Sequence, residues 1–380
     1  MTWLPDAPEV LKFGGSTFRT EAGYPQLAAA LDRRLTRTRR PLVVVVSAMS
    51  GETERLRARL LRTDPQPQDA TLAGLVTLAD TVSAQLLAAA LQRSGRSAVV
   101  LAGHQLGLCT DSTFLWARLE AVDPAPLRAA LAEHEVVVVP GGQAVDRSGR
   151  PTWLGKNSSD LSAVVLAMLL EAPRCTIHSD VDGVYSADPN LLTGARLMGE
   201  VSYRTAELMS QYGAKVLHRG AVALARRRGI EIVCRLNRPP YRSGTTIAAG
   251  GGGSSAVVVD RRAVALAYPD EPAAAEAHQT LCGAGVEAVR VGAEPIVAVG
   301  GYLDHEAFHR GAGLRPGRPV GVPVTVVRPD GVDCRIAADP TRAVRLAQRL
   351  HDELYPDPLY ADSLHADPRV APRTAQLEGV

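Results

Sequence analysis

A strong charge of either sign is missing from this 380-residue chain: 42 Lys and Arg face 40 Asp and Glu, a formal net charge of +2. So close a balance provides no general field for polyanions and argues against a dedicated nucleic-acid binder. Cysteine is scarce too. The five, Cys109, Cys175, Cys234, Cys282 and Cys334, lie far apart, without a C-x-x-C pair or a histidine at metal-ligand spacing. They read as reduced, buried thiols rather than a disulfide framework or a zinc module. The first residues lack a basic segment followed by an apolar run, and no stretch reads as long enough to cross a bilayer. The expected location is therefore cytoplasmic, with neither membrane nor nucleic acid as a partner.

What is present is ample apolar material, 46% of residues, in a chain longer than one typical core. Two domains and a tail are expected. Val10 to Phe13 reads as a strand, Gly14-Gly15 as a tight turn, and Ser16-Thr17 as the entrance to a helix ending near Arg39. Glycine lets backbone approach a ligand, and N–H groups at such an entrance can cradle phosphate beside a lysine, here Lys12. The G-x-x-x-x-G-K-[ST] loop spacing is absent. Pro41 to Ser47 and Glu135 to Val139 are β-branched runs, the mark of strands buried on both faces of a parallel sheet. The first ends in a polar loop containing Ser47 and Thr53, at the strand edge where open α/β sheets bind ligands.

A helix is expected over 71–93, with Leu75, Leu78, Val82 and Leu86 on one face and Asp80 on another. Trp153 to Asp160 places a cation, an amide, hydroxyls and a carboxylate at the start of a second helix. There Leu161, Val164, Val165 and Met168 mark one buried face, and Ser158, Ser159 and Asp160 are candidate caps. Thr176 to Ser179 is a strand, and Asp180 to Pro189 crowds carboxylates, a glycine, a tyrosine and an Asp-Pro turn after it. On residue chemistry alone, turn formation explains that loop equally well. A helix over 203–212, another beginning at Gly213 to His218, and a strand over 229–235 complete the alternating pattern.

Five stretches carry a resemblance: Lys12 to Thr17, Val44 to Thr53, Leu154 to Asp160, Ser179 to Pro189, and Gly213 to His218. In order and spacing over residues 10–247 they resemble the aspartate kinases of the amino acid kinase family. The resemblance implies an α/β fold with a mainly parallel central sheet between helical layers, and ATP over the sheet's carboxyl edge. It implies catalytic roles for Lys12, Asp160 and Lys215. Phosphate and nucleotide contacts would come from Gly14, Gly15, Ser16, Thr17, Ser179, Asp180, Tyr185 and Asp188. Acceptor contacts would come from Ser47, Thr53, Asp80, Gly142, Lys156, Asn157, Ser158 and Ser159. ATP and Mg²⁺ are the implied cofactors, the metal held mainly by the ATP phosphates, and a homodimer is the family expectation.

The acceptor half departs from the family pattern. Asp80 stands for a glutamate that binds the substrate ammonium, Gly142 lacks an aromatic neighbour, and Lys156 replaces an arginine that grips a carboxylate in a fork. Asn157-Ser158 replaces two glycines and Glu54 an asparagine; on the nucleotide side, Asn190 stands where a basic residue commonly follows the Asp-Pro turn, so one phosphate contact is absent from the implied set. The implied activity is phosphorylation of the side-chain carboxylate of aspartate; transfer to a different amino acid or small carboxylate is the alternative. A catalytically silent nucleotide-binding subunit would require loss of Lys12, the glycine loop or Asp160, and all three are present. Residues 1–250 form the expected catalytic domain and 251–255 a linker. Residues 256–355 are expected to be one degenerate ACT-like domain, and 356–380 a disordered tail.

Overall fold

The computed structural model describes residues 7–214, 217–284, 286–301 and 303–356. Lys215 and the expected tail beyond Pro356 lie outside the described residues. In chain order the first region contains β1 (Glu9–Phe13), α1 (Gly23–Thr38), β2 (Leu42–Val46), α2 (Glu52–Thr63), α3 (Asp69–Val76), α4 (Leu78–Arg93) and β3 (Ala98–Val100). Then come β4 (Leu108–Thr110), β5 (Leu119–Val122), α5 (Ala125–Glu133), β6 (Val136–Pro140), β7 (Gln143–Asp146), β8 (Pro151–Trp153), α6 (Ser159–Leu169) and β9 (Arg174–Ser179). β10 (Val184–Tyr185), β11 (Leu197–Met198), β12 (Glu200–Ser202), α7 (Tyr203–Gln211), α8 (Arg219–Arg228), β13 (Glu231–Leu236) and β14 (Ser243–Ala248) finish it.

The central sheet has eight strands in the order β12-β14-β13-β9-β1-β2-β6-β3. β1 lies between β9 and β2, parallel to both, and β14 is antiparallel to β13. The β-branched runs form the middle because both faces are covered: every residue of β2 and β6 is buried. Alternation along these strands supplies two cores. Val43, Val45, Val137 and Val139 meet α6 and α8. Leu11, Phe13, Val44 and Val46 meet Leu27 and Leu31 of α1 and Leu87 and Leu91 of α4.

Four expectations are corrected by the structure. The run Asp69–Arg93 does have the length and composition to cross a bilayer, but it is divided at Thr77. Its inner face is Ala84, Leu87, Ala88 and Leu91, which pack in the core. Leu78, Val82 and Leu86, expected inside, are 49%, 50% and 40% exposed. Two alanines allow a close helix contact and two leucines fill the space beside them, so apolar spacing alone selected the wrong face. Helix α6 is buried on nearly all sides rather than on one face. The thiols are likewise mixed: Cys175 and Cys234 are buried, whereas Cys109, Cys282 and Cys334 are only half-buried.

The second region holds β15 (Ala256–Val259), β16 (Val264–Ala267), α9 (Glu271–Gly283), β17 (Ala288–Arg290), β18 (Ile296–Val299), α10 (His305–Ala312), β19 (Arg318–Arg328), β20 (Gly331–Ala337) and α11 (Pro340–Leu354). The succession β16-α9-β17-β18-α10-β19, paired in the order β19-β16-β18-β17, is a complete βαββαβ unit. Beyond Gly321 the same long strand pairs with β15 and β20, and α11 covers that second unit. Gly321, at φ 145°, marks the change of partner, and a Cβ there would lie 2.1 Å from the Ala337 carbonyl oxygen. The region is thus one complete unit and one smaller unit rather than a single module. α10 and β20 were not anticipated, being short or dominated by polar alternation.

Candidate active site

The parallel strands deliver their last residues to one edge. Ser47 N–H donates to the Phe13 carbonyl at 3.0 Å and Gly141 N–H to the Val46 carbonyl at 2.9 Å, which ties the ends of β1, β2 and β6 together. Lys12, the fourth residue of β1, projects its ammonium to Asp160 Oδ1 at 2.7 Å, and the two side chains are only 10% and 9% exposed. A buried carboxylate needs such a partner, and its second oxygen accepts the His218 N–H at 3.2 Å. The residue before α8, His218, is thereby tied to Asp160.

The Gly14-Gly15 turn lies over this pair. Gly14 N–H donates to the His178 carbonyl at 3.2 Å, and a Cβ on Gly14 would stand 3.4 Å from Lys12 Nζ. At Gly15 a Cβ would come within 2.6 Å of the Ala48 carbonyl oxygen, so only glycine fits. Ser16 and Thr17 do not open α1 as expected. They form a 3₁₀ turn, Gly15–Thr17, and α1 starts six residues later. This tight turn is held by Asn237, a residue the sequence reading missed. Its amide meets Ser16 Oγ at 2.8 Å and, with its oxygen toward the loop, accepts the Thr17 N–H at 3.2 Å. Asn237 N–H also donates to the Ser179 carbonyl at 2.7 Å, joining the glycine loop to the end of β9.

Beyond β9, Ser179 and Val181 close a local turn, and the Tyr185 hydroxyl donates to Asp182 Oδ1 at 2.8 Å. That contact and burial raise the Tyr185 phenol above its ordinary value. Asp188 accepts the Asn190 N–H at 2.9 Å and so shapes the Asp-Pro turn, while Asp180 and Asp188 both face solvent. The loop edge is therefore open, and local hydrogen bonds shape its turns.

On the other side of Lys12, Ser47 Oγ and Ser159 Oγ are 2.9 Å apart. Asp80, in the first turn of α4, accepts the Ala48 N–H at 2.9 Å. Burial pushes its carboxyl up to about 7, although the Ala48 N–H and the Lys12 ammonium pull the other way. Gln143, also missed from sequence, fixes the start of α4 by donating to the Thr77 carbonyl and, at 2.9 Å, to the Thr81 hydroxyl. Thr53 lies in α2, half-buried.

The turn leading to α6 is tight and strained. Gly155 has φ 99° and Asn157 φ 61°, which leaves Lys156 and Asn157 exposed. Ser158 does not cap α6. Its hydroxyl donates backward to the Gly155 carbonyl, and Ser159 and Asp160 are already inside the helix. Gly142, at φ 73°, packs against Ser158 and Trp153: a Cβ there would meet Ser158 Oγ at 2.7 Å and the Trp153 ring nitrogen at 3.2 Å. Trp153 therefore supplies an aromatic side chain at the position where Gly142 has none.

These groups converge on one edge: a cation held by a buried carboxylate under a glycine turn, an open loop on one flank and a second carboxylate on the other. Such a set can bind a polyphosphate and an ammonium-bearing acceptor side by side. Residues 9–235 match the model of the amino acid kinase family. An aspartokinase of Helicobacter pylori is 35% identical over 226 residues, covering 60% of this chain and 56% of that protein. One from Pseudomonas aeruginosa is 38% identical over 216 residues, with coverages of 57% and 52%. The chain spans about half the length of the curated relatives it matches. Among solved structures, E. coli aspartokinase III in complex with aspartate and ADP superposes with a TM-score of 0.71 at 20% identity, covering 91% of this chain and 99% of that one, a likeness of fold. Aspartate kinase from Synechocystis gives 0.57 at 27% identity, with coverages of 85% and 60%. The match over residues 9–235 and the sheet it spans establish that this chain belongs to the amino acid kinase family.

Proposed function

We propose that the chain transfers the γ-phosphoryl group of ATP to the side-chain carboxylate of aspartate, giving 4-phospho-aspartate and ADP. The observation that carries this reading is the Lys12–Asp160 ion pair beneath Gly14 and Gly15. It supports the reading because a cation fixed by a carboxylate is suited to the charge that develops on a transferring phosphoryl group. A carboxylate acceptor, with an ordinary value near ~4, is ionised at neutral pH, so no general base is required. Its oxygen forms the new bond to the γ-phosphorus while the bond from phosphorus to the ADP oxygen breaks. Lys12 and Lys215 balance the charge, Ser179, Asp180 and Tyr185 hold the nucleotide, and Asp80 pairs with the acceptor ammonium.

Among the described residues no three His, Cys, Asp or Glu side chains group as a metal site. Mg²⁺, the usual companion of ATP in phosphoryl transfer, would be held mainly by the phosphate oxygens of ATP, where it would neutralise their charge. The protein is proposed to act in the cytoplasm as a homodimer, with residues 256–355 as an ACT-like region beside the catalytic domain. A second reading keeps the chemistry and changes the acceptor. It is favoured by exposed Lys156 in place of a fork-shaped arginine and by Trp153 against Gly142.

The test is coupled ADP release with Mg-ATP across aspartate, its analogues, glutamate and other small carboxylates. Aspartate is expected to give the highest kcat/KM. A better acceptor would establish the second reading, and nucleotide binding without turnover of any acceptor would identify a silent subunit.

A further inference from the structure

Helix α11 lies behind the loop that follows β9, and the contact is built from buried polar groups as well as packing. His351 is 1% exposed and Ser186 0%. His351 Nε2 and Ser186 Oγ are 2.8 Å apart. Ser186 Oγ already accepts the Arg196 N–H at 2.8 Å, so its own proton is available to the histidine nitrogen. Burial lowers the His351 ring from its ordinary value, consistent with a neutral imidazole that accepts there.

One turn earlier on the same face, Gln348 clasps Thr193. Its Oε1 accepts the Thr193 N–H at 3.0 Å and its Nε2 donates to the Thr193 carbonyl at 3.1 Å. Ala187 and Leu192 of the loop are packed into the core made by Val257, Ala343, Ala347 and Leu350. The Arg196 guanidinium stands 5.0 Å over the Tyr355 ring. The back of segment 186–196 is therefore fastened at several points, whereas Asp188, Pro189 and Asn190 at its front are exposed.

We infer that α11 is the positioning element of the nucleotide loop, with His351 and Gln348 as its positioning residues. The inference rests on the proposed nucleotide role of Ser179 to Pro189. Neither side chain is assigned a contact with substrate. Each sets the path of the chain that carries Tyr185 and Asp188, so its loss is felt in nucleotide affinity rather than in the chemical step.

The experiment measures nucleotide affinity by calorimetry with ADP and with a non-hydrolysable ATP analogue, and KM for ATP and for the acceptor, on the full chain. His351→Leu is expected to weaken nucleotide binding and raise the ATP KM at least fivefold. kcat at saturating ATP and the acceptor KM should stay within twofold. His351→Gln, whose carboxamide oxygen can accept the Ser186 hydroxyl, should restore most of the affinity. Gln348→Ala, on a more exposed site, should give a smaller loss in the same direction and faster amide exchange across residues 186–196. Unchanged affinity in both His351→Leu and Gln348→Ala overturns the inference, as does an equal loss in ATP KM, acceptor KM and kcat, which marks a general structural role. If the unaltered chain binds no nucleotide, the loop assignment itself fails and takes this inference with it; if it binds and the variants bind equally, only the positioning role fails.

Discussion

The phosphate flank of the edge is built around one buried ion pair, whereas the acceptor flank combines a desolvated carboxylate and two bonded serines with an exposed turn. Lys12, Asp160, the glycine turn and Asn237 are tied by an ion pair and by short hydrogen bonds between strand ends. Lys156 and Asn157 sit on an exposed turn with left-handed backbone, and Trp153 fills the side of Gly142. A charge that must not move belongs on the end of a central strand, where packing fixes its rotamer, while selectivity can be altered on a loop at little cost to the fold.

The most severe way to break this contrast is Lys12→Ala. Turnover is expected to fall at least ~1000-fold, about 4 kcal/mol in the barrier. The stranded Asp160 carboxylate should also cost about 3–5 kcal/mol of stability. Circular dichroism and denaturant titration check that the fold remains, and near-normal turnover in a folded variant would remove Lys12 from its proposed role.

Asp80 tests the other flank through pH. Its carboxyl is raised to about 7 by burial, so the folded chain holds this proton more tightly than the unfolded one. The stability it contributes is complete below its unfolded value near ~4 and is lost as pH rises through about 7. Asp80→Asn should accordingly be more stable than the parent above pH 7, by about 1–3 kcal/mol, with the gain vanishing toward pH 4. Ionised Asp80 is the form that pairs with an ammonium, so the acceptor KM of the parent should rise about tenfold between pH 8 and pH 6. A parent KM that stays flat across that range would separate Asp80 from the acceptor.

The smallest expected change sharpens the comparison. Lys156→Arg restores a planar fork on an exposed turn, and kcat/KM for aspartate should improve by up to about tenfold with the ATP KM unaltered. An unchanged ranking of acceptors would show that Trp153 or Asp80, rather than Lys156, sets the preference.

Much of the scaffold could be read from short-range pattern. The valine runs of β2 and β6, the Lys12-to-Gly15 strand and turn, and the alternation of strand and helix are local properties of neighbouring residues, and the folded chain keeps them. Features decided at long range could not be read in that way. Asn237 reaches Ser16 across 221 positions of sequence, and the only local sign was a polar residue before an Arg-Pro-Pro turn. Leu78, Val82 and Leu86 looked like the inner face of α4, whereas Ala84, Leu87, Ala88 and Leu91 pack inside.

The sequence by itself determined the α/β class and the strands buried on both faces, because periodicity acts over a few residues, and it offered the phosphate-edge residues through a resemblance of spaced motifs. Only the tertiary structure decided that Asp160 and Lys12 are partners, that Asp80 is buried enough to hold its proton near neutrality, and that α11 stands behind the loop after β9. Each of those depends on which distant groups share one low-dielectric space, and that is a property of packing.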